Sequence, residues 1–246
     1  EAAITPRTRA ILAVHYAGMP CDLTALRHLA DKHNLFLIED CAHAVETQFN
    51  GFHAGTIGDF AAFSFYATKN VAIGEGGMVS CKTEALAQKI AGLSLHGLSR
   101  GAWARFSNSG KRTYEVDSIG YKANMTDLQA VIGLRQLEAL ERNYKRREEI
   151  WDYYSMELAD LDLELPQREL SEGSRHALHL YSVPLPSQIN RDAWVQTMSD
   201  DEGVAFGIHY NAVSSFQIYE EFANFNRAEL QVSENWGKRC VSLSLS

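Results

Sequence analysis

Residues 10–38, AILAVHYAGMPCDLTALRHLADKHNLFLI, decide how this chain folds. The run AILAVHY at Ala10 to Tyr16 is short and nearly all apolar, the pattern of a parallel strand covered by helices on both faces. Asp22 stands at an N-cap position, Leu23, Leu26, Leu29 and Ala30 repeat at helical spacing, and Asn34 ends the segment. LFLI at Leu35 to Ile38 is a second buried strand. Strand, helix and strand within roughly thirty residues make a βαβ unit with a right-handed crossover. In such sheets ligands bind beyond the carboxyl ends of the strands.

The alternation continues outward. FAAFSFY at Phe60 to Tyr66 is a third apolar run, and after GEGG a short strand, MVSC, follows at Met78 to Cys81. Glu84 to Leu95 reads as a helix. The stretch from Ser99 to Ser118 has no clear period and carries Arg100, Arg105, Lys111 and Arg112, which suits either a solvated loop or contact with a phosphate. From Thr126 to Leu158 the apolar positions mark one long amphipathic helix. Pro166 and QRELSEGSR form a linker. A strand at Ala177 to Pro184, a helix from Arg191 to Met198 and a strand at Val204 to Tyr210 make a smaller α/β domain that stops unfinished at LSLS. The expected organisation is α/β: a partial large domain with a mostly parallel sheet flanked by helices at 1–125, a connecting helix at 126–165 and a partial small domain at 166–246.

Composition excludes several classes. Of 246 residues 46% are hydrophobic and 22% charged, as in ordinary globular proteins. With 31 acidic residues against 23 Lys and Arg, the net charge of −8 disfavours nucleic acid and anionic membranes as partners. No apolar stretch approaches the roughly 20 residues of a membrane span, and EAAITPRTRA lacks a signal-peptide core, so a cytoplasmic protein is expected. Cys21, Cys41, Cys81 and Cys240 are too scattered for a zinc site; free thiols and no metal are expected.

Two stretches can carry chemistry. Glu39-Asp40-Cys41-Ala42-His43 ends a buried strand, where both acids and the imidazole would project into the ligand crevice; the structural alternative is an acid that only caps the next segment. No phosphate-binding G-x-x-x-x-G-K-[ST] accompanies it, which excludes an ATPase reading. The second stretch, Ser64-Phe65-Tyr66-Ala67-Thr68-Lys69-Asn70, follows another buried strand. Lys69 is either a surface amine or, if partly desolvated, a nucleophile of lowered pKa able to condense with an aldehyde. Lys69, Asp40 and Ser64 are the amine, acid and hydroxyl that a cofactor held as an internal aldimine needs for its aldehyde, ring nitrogen and phosphate.

VHYAG at 14–18, EDCAHA at 39–44, GTIGDFAAFSFYATKN at 55–70, GEGGMV at 74–79, LHG at 95–97 and GYKANMTDLQA at 120–130 resemble, in order, the DegT/DnrJ/EryC1/StrS family of sugar aminotransferases. RHALHLYSVPL at 175–185 and GIHYNAV at 207–213 continue the resemblance. It implies the fold type I of pyridoxal-phosphate-dependent transferases, with pyridoxal 5'-phosphate as cofactor. Lys69 would be the Schiff-base lysine, Asp40 the partner of the pyridine nitrogen, His43 the residue near the ring hydroxyl, and Ser64 a phosphate ligand. Asn124 would reach the phosphate of the neighbouring subunit, making a homodimer with shared active sites. His209 and Tyr210 would contact a nucleotide-linked keto-sugar, aminated at C4 rather than C3, with glutamate as donor. The resemblance further implies sequence before Glu1, including a phosphate-holding Gly-Thr turn, and after Ser246, so this stretch alone is expected to bind the cofactor weakly or not at all. The competing expectation is a non-catalytic domain that keeps the fold as a binding or regulatory surface.

Overall fold

A computed structural model of the chain describes residues 1–98, 115–220 and 227–245. It divides into two compact units, residues 1–140 with 170–177 and residues 141–169 with 178–246. The basic residues Arg100, Arg105, Lys111 and Arg112 lie outside the described residues.

The first unit is built on a sheet of four strands. β1 (Ala10–Val14), β2 (Phe36–Asp40) and β5 (Phe60–Ser64) are parallel, and β6 (Gly77–Cys81) closes the order β1-β2-β5-β6 antiparallel to β5. Parallel strands need a crossover, and α1 (Leu23–Lys32) supplies it between β1 and β2. The Asp22 carboxylate accepts the Ala25 N–H at 2.9 Å to start α1, and Asn34, at φ 52°, turns the chain out of it. Leu23 and Ala30 of α1 meet Ala13, Leu35 and Leu37 in a core of fully or nearly fully buried side chains. The opposite face of β1 is less covered than expected: Leu12 and Val14 are 61% and 49% exposed. Two strands of two residues each, β3 (Gln48–Phe49) and β4 (Phe52–His53), form a small hairpin that no period in the sequence announced. α2 (Glu84–Ser94) follows β6, capped by the Thr83 hydroxyl.

The register carries the functional consequence. Val14 pairs with Asp40, and Asp40 with Ala62, so the β2 acid lies at the carboxyl edge of the sheet beside the end of β5.

α3 (Asp127–Glu157) is one unbroken helix of 31 residues. In the second unit its Trp151, 2% exposed, stacks edge-on to Tyr181 with ring centroids 4.7 Å apart and packs with Tyr144, Leu178 and Val183. Trp151→Ala is expected to destabilise that unit by about 3–5 kcal/mol through the cavity it leaves; the lowered urea midpoint measures it. β7 (Tyr181–Pro184) pairs antiparallel with β8 (Cys240–Leu243), and α4 (Arg191–Asp201) and α5 (Gln231–Arg239) complete the unit. The strand expected at Val204 to Tyr210 does not form; the segment makes a single bridge, Gly207 to Ser242. The partner of β7 is instead CVSL, which runs into the LSLS that reads in sequence as an unfinished end. Among the described residues no helix is long and apolar enough to cross a membrane.

Candidate active site

Glu39 and Asp40 are neighbours on β2, and strand geometry sends adjacent side chains to opposite faces. That separates two acids expected to share the crevice. Glu39 is fully buried beneath the sheet: its Oε2 accepts the Gly55 N–H at 2.7 Å and faces His15 Nε2 at 3.1 Å, while Oε1 accepts the Ile57 N–H at 3.0 Å and that of Gly58. Burial alone would push its pKa up, but the bonds from His15, Gly55 and Gly58 outweigh burial and hold the carboxyl below its ordinary range. A side chain at position 58 is excluded, because a Cβ there would lie 2.9 Å from the Leu37 carbonyl oxygen. Glu39 therefore organises the GTIGD turn and does no chemistry.

His15, also fully buried, accepts the Cys21 backbone N–H on Nδ1 at 3.1 Å. Burial alone would lower its pKa, but Cys21, Cys41 and Glu39 outweigh burial and push it up to about 11, which by itself favours a charged ring. The amide hydrogen aimed at Nδ1 decides for the neutral ring, whose Nε2 hydrogen is then donated to Glu39. His15, Glu39 and Cys41 place potential metal ligands within 4.8 Å of one another. Both imidazole nitrogens and both carboxylate oxygens are already engaged, and burial pushes the Cys41 thiol up, away from the thiolate a metal would need. The cluster is a structural knot.

Asp40 points the other way. It is half-buried; Oδ1 accepts the Ala42 N–H at 3.0 Å, and among the described residues no hydrogen bond engages Oδ2. The capping role and a role in the crevice thus use different oxygens of one carboxylate. Ser64 ends β5, its hydroxyl oxygen facing the Tyr66 N–H at 3.4 Å. The chain then turns, with Lys69 N–H donating to the Tyr66 carbonyl at 2.9 Å. Lys69 is half-buried, and its amine makes no hydrogen bond or ion pair among the described residues. Burial lowers its pKa; the Asp40 carboxylate opposes that shift but does not cancel it. The amine and the acid thus feel one another across the carboxyl edge of the sheet, from the ends of adjacent strands. His43 accepts the Ala17 N–H on Nδ1 at 3.2 Å and holds its ring 6.3 Å from that of Tyr16.

Asn124 is exposed and bonded to Lys122. It lines a cleft of about 680 Å³ along β6 with Phe63, Gly76, Met78 and Met125, a cleft that includes none of Asp40, His43 and Lys69. His209 and Tyr210 belong to the second unit, their rings edge-on at 4.9 Å. Within the first unit the geometry brings together Asp40 and Lys69. It also exposes residues that sequence reasoning passed over: His15, Glu46, Thr47 and Asn70, all in the scaffold of this edge. Period-2 alternation could have separated Glu39 from Asp40. No spacing rule could have paired Glu46 with Asn70, 24 residues apart.

A desolvated amine and a carboxylate at the carboxyl edge of a mostly parallel α/β sheet define a class of site suited to carbonyl chemistry. The model of the DegT/DnrJ/EryC1/StrS aminotransferase family matches residues 1–246, and the chain belongs to that family. It is 42% identical over 248 residues to the spore coat polysaccharide biosynthesis protein SpsC of Bacillus subtilis, a match covering all of this chain and 64% of SpsC. The chain thus spans just under two thirds of that relative. Among solved structures, Spr1654 of Streptococcus pneumoniae in its PMP form superposes with a TM-score of 0.90 at 27% identity, covering 99% of this chain and 66% of that one. The aminotransferase TlmJ of Streptoalloteichus hindustanus gives 0.86 at 29% identity, over 98% and 62%. The fold is that of the pyridoxal-phosphate-dependent transferases.

Proposed function

We propose that this chain carries the pyridoxal-phosphate site of a sugar aminotransferase that moves an amino group from glutamate to a nucleotide-linked keto-sugar, at C4. The observation that carries this reading is Lys69, whose half-buried amine has a lowered pKa and faces the charge of Asp40. Family membership, the sugar-polymer role in the name of SpsC, and the PLP and PMP forms of Spr1654 support it.

The residues fit the cofactor. Among the described residues Asp40 has a carboxylate oxygen to spare for a ring nitrogen and Lys69 an amine without a hydrogen-bond partner, and Ser64 has a hydroxyl at the strand end for a phosphate. When bound, pyridoxal phosphate supplies an aldehyde carbon and a ring that delocalises negative charge. Asp40 then holds a proton on the ring nitrogen through a charge-assisted hydrogen bond worth about 1.5–3 kcal/mol. Lys69 Nζ would take the proton from the donor's α-carbon as general base and, as the ammonium so formed, deliver it to the cofactor's aldehyde carbon as general acid. His43 would lie near the ring hydroxyl. Asn124 binds the phosphate held by a second copy of the chain in a homodimer with shared active sites, and His209 and Tyr210 hold the sugar nucleotide.

Incubation of the full-length protein with saturating pyridoxal phosphate, borohydride reduction and peptide mapping test this. A phosphopyridoxyl mass concentrated on Lys69, absent in Lys69→Ala and reduced in Asp40→Asn, is the expected result. An adduct spread evenly over Lys82, Lys89 and Lys122 contradicts it. Amino transfer from glutamate to 4-keto and 3-keto nucleotide sugars, compared in the full-length protein, tests the substrate and its position.

A further inference from the structure

Among the described residues no hydrogen bond or ion pair anchors the Lys69 amine, so its reach is set from its backbone, and the next residue is where the backbone is held. The Asn70 side chain spends both amide hydrogens inside the protein, on Glu46 Oε2 at 2.9 Å and on the Ala177 carbonyl at 3.0 Å. Glu46 is 2% exposed and Ala177 fully buried. The Ala177 N–H donates to the Gly18 carbonyl at 3.0 Å, which also accepts the Thr47 hydroxyl at 2.7 Å. Gly18 follows Ala17, whose N–H reaches His43. One buried lattice thus joins the turn bearing Lys69, the 43–47 segment after Asp40, and the 17–18 turn. The approach is close enough that a Cβ on Gly18 would lie 2.8 Å from that of Ala177.

We propose that Asn70, clamped by Glu46 and the Ala177 carbonyl, is the positioning residue that fixes the reach of Lys69 toward Asp40. The assignment rests on Lys69 being the reacting amine. A flexible side chain of four methylenes amplifies any displacement of its turn, and misplacement by about 1 Å is enough to slow a reaction strongly. Asn70 touches no reacting atom in this assignment; it acts through its neighbour.

The test measures the rate of borohydride-fixed phosphopyridoxyl formation on Lys69, relative to Lys82 in the same full-length sample, together with the melting temperature. Asn70→Asp sets a carboxylate against the Glu46 carboxylate and the Ala177 carbonyl; the Lys69 rate is expected to fall about tenfold, with Lys82 unchanged. Adding Glu46→Gln gives the Asp at position 70 an amide donor again, so the double variant is expected to recover part of that loss. Asn70→Ala, which removes both bonds without adding charge, is expected to fall similarly and serves if Asn70→Asp does not fold. Unaltered Lys69 rates in Asn70→Ala, or no recovery in the double variant, would overturn the assignment while leaving the cofactor reading intact. Absence of any Lys69 adduct in the unaltered protein would overturn both.

Discussion

Lys69→Met is expected to reduce amino transfer by about 10²–10⁴-fold, the range that a positioned acid–base group contributes, while the chain stays folded. Among the described residues the Lys69 amine makes no hydrogen bond that its loss would orphan, so its removal is not expected to unfold the chain. Its effect on stability has the opposite sign. The folded pKa lies below the ordinary 10.5, with burial the largest cause, so folding disfavours the protonated amine. Between the folded and unfolded pKa values the unfolded chain binds more protons, and the stability of the unaltered protein rises with pH through that window. Lys69→Met removes the penalty. Its gain in stability is present at neutral pH and vanishes as pH passes 10.5, where the amine is neutral in both states. Urea denaturation of both proteins at neutral pH and above 10.5 measures this, and a variant that is inactive because it is unfolded would contradict the role assigned to Lys69.

Glu39→Ala is expected to do the reverse. Removing this carboxylate strands the N–H groups of Gly55, Ile57 and Gly58 and the Nε2 hydrogen of His15 in a dry interior. Each buried donor left unsatisfied costs about 1–3 kcal/mol, so the loss is a large share of the stability of a domain. The linkage follows from its depressed pKa: the contribution of Glu39 is complete above the ordinary 4.5 and is lost as pH falls through the folded value. A lowered urea midpoint at neutral pH, converging on that of the unaltered protein in acid, is the expected pattern. An unchanged midpoint at pH 7 would show that the GTIGD turn is held by something other than Glu39. Adjacent acids on one strand thus have opposite consequences, Glu39 for folding and Asp40 for the reaction.

The elements legible in the sequence are those that local periodicity specifies. AILAV, LTALRHLADK and FLIED become strand, helix and strand because apolar spacing and the Asp22 cap act over a few residues. The 31-residue helix is legible for the same reason. Motif order along the chain was enough to identify the family, since it reflects ancestry rather than geometry. VAFGIHY misled because an apolar run cannot reveal which segment will supply its hydrogen-bond partner, and CVSL took the place beside β7.

Lys69 and Asp40 could each be read from sequence as candidates, but their mutual field could not. It depends on the register that sets Asp40 beside Ala62 and on a turn that carries Lys69 back over the strand ends. The inward turn of Glu39, the neutral tautomer of His15 and the clamp of Asn70 on Glu46 are likewise products of tertiary structure. Burial and hydrogen-bond partners arise only when segments distant in the chain converge, and there the same carboxylate chemistry becomes either a buttress or a reactant.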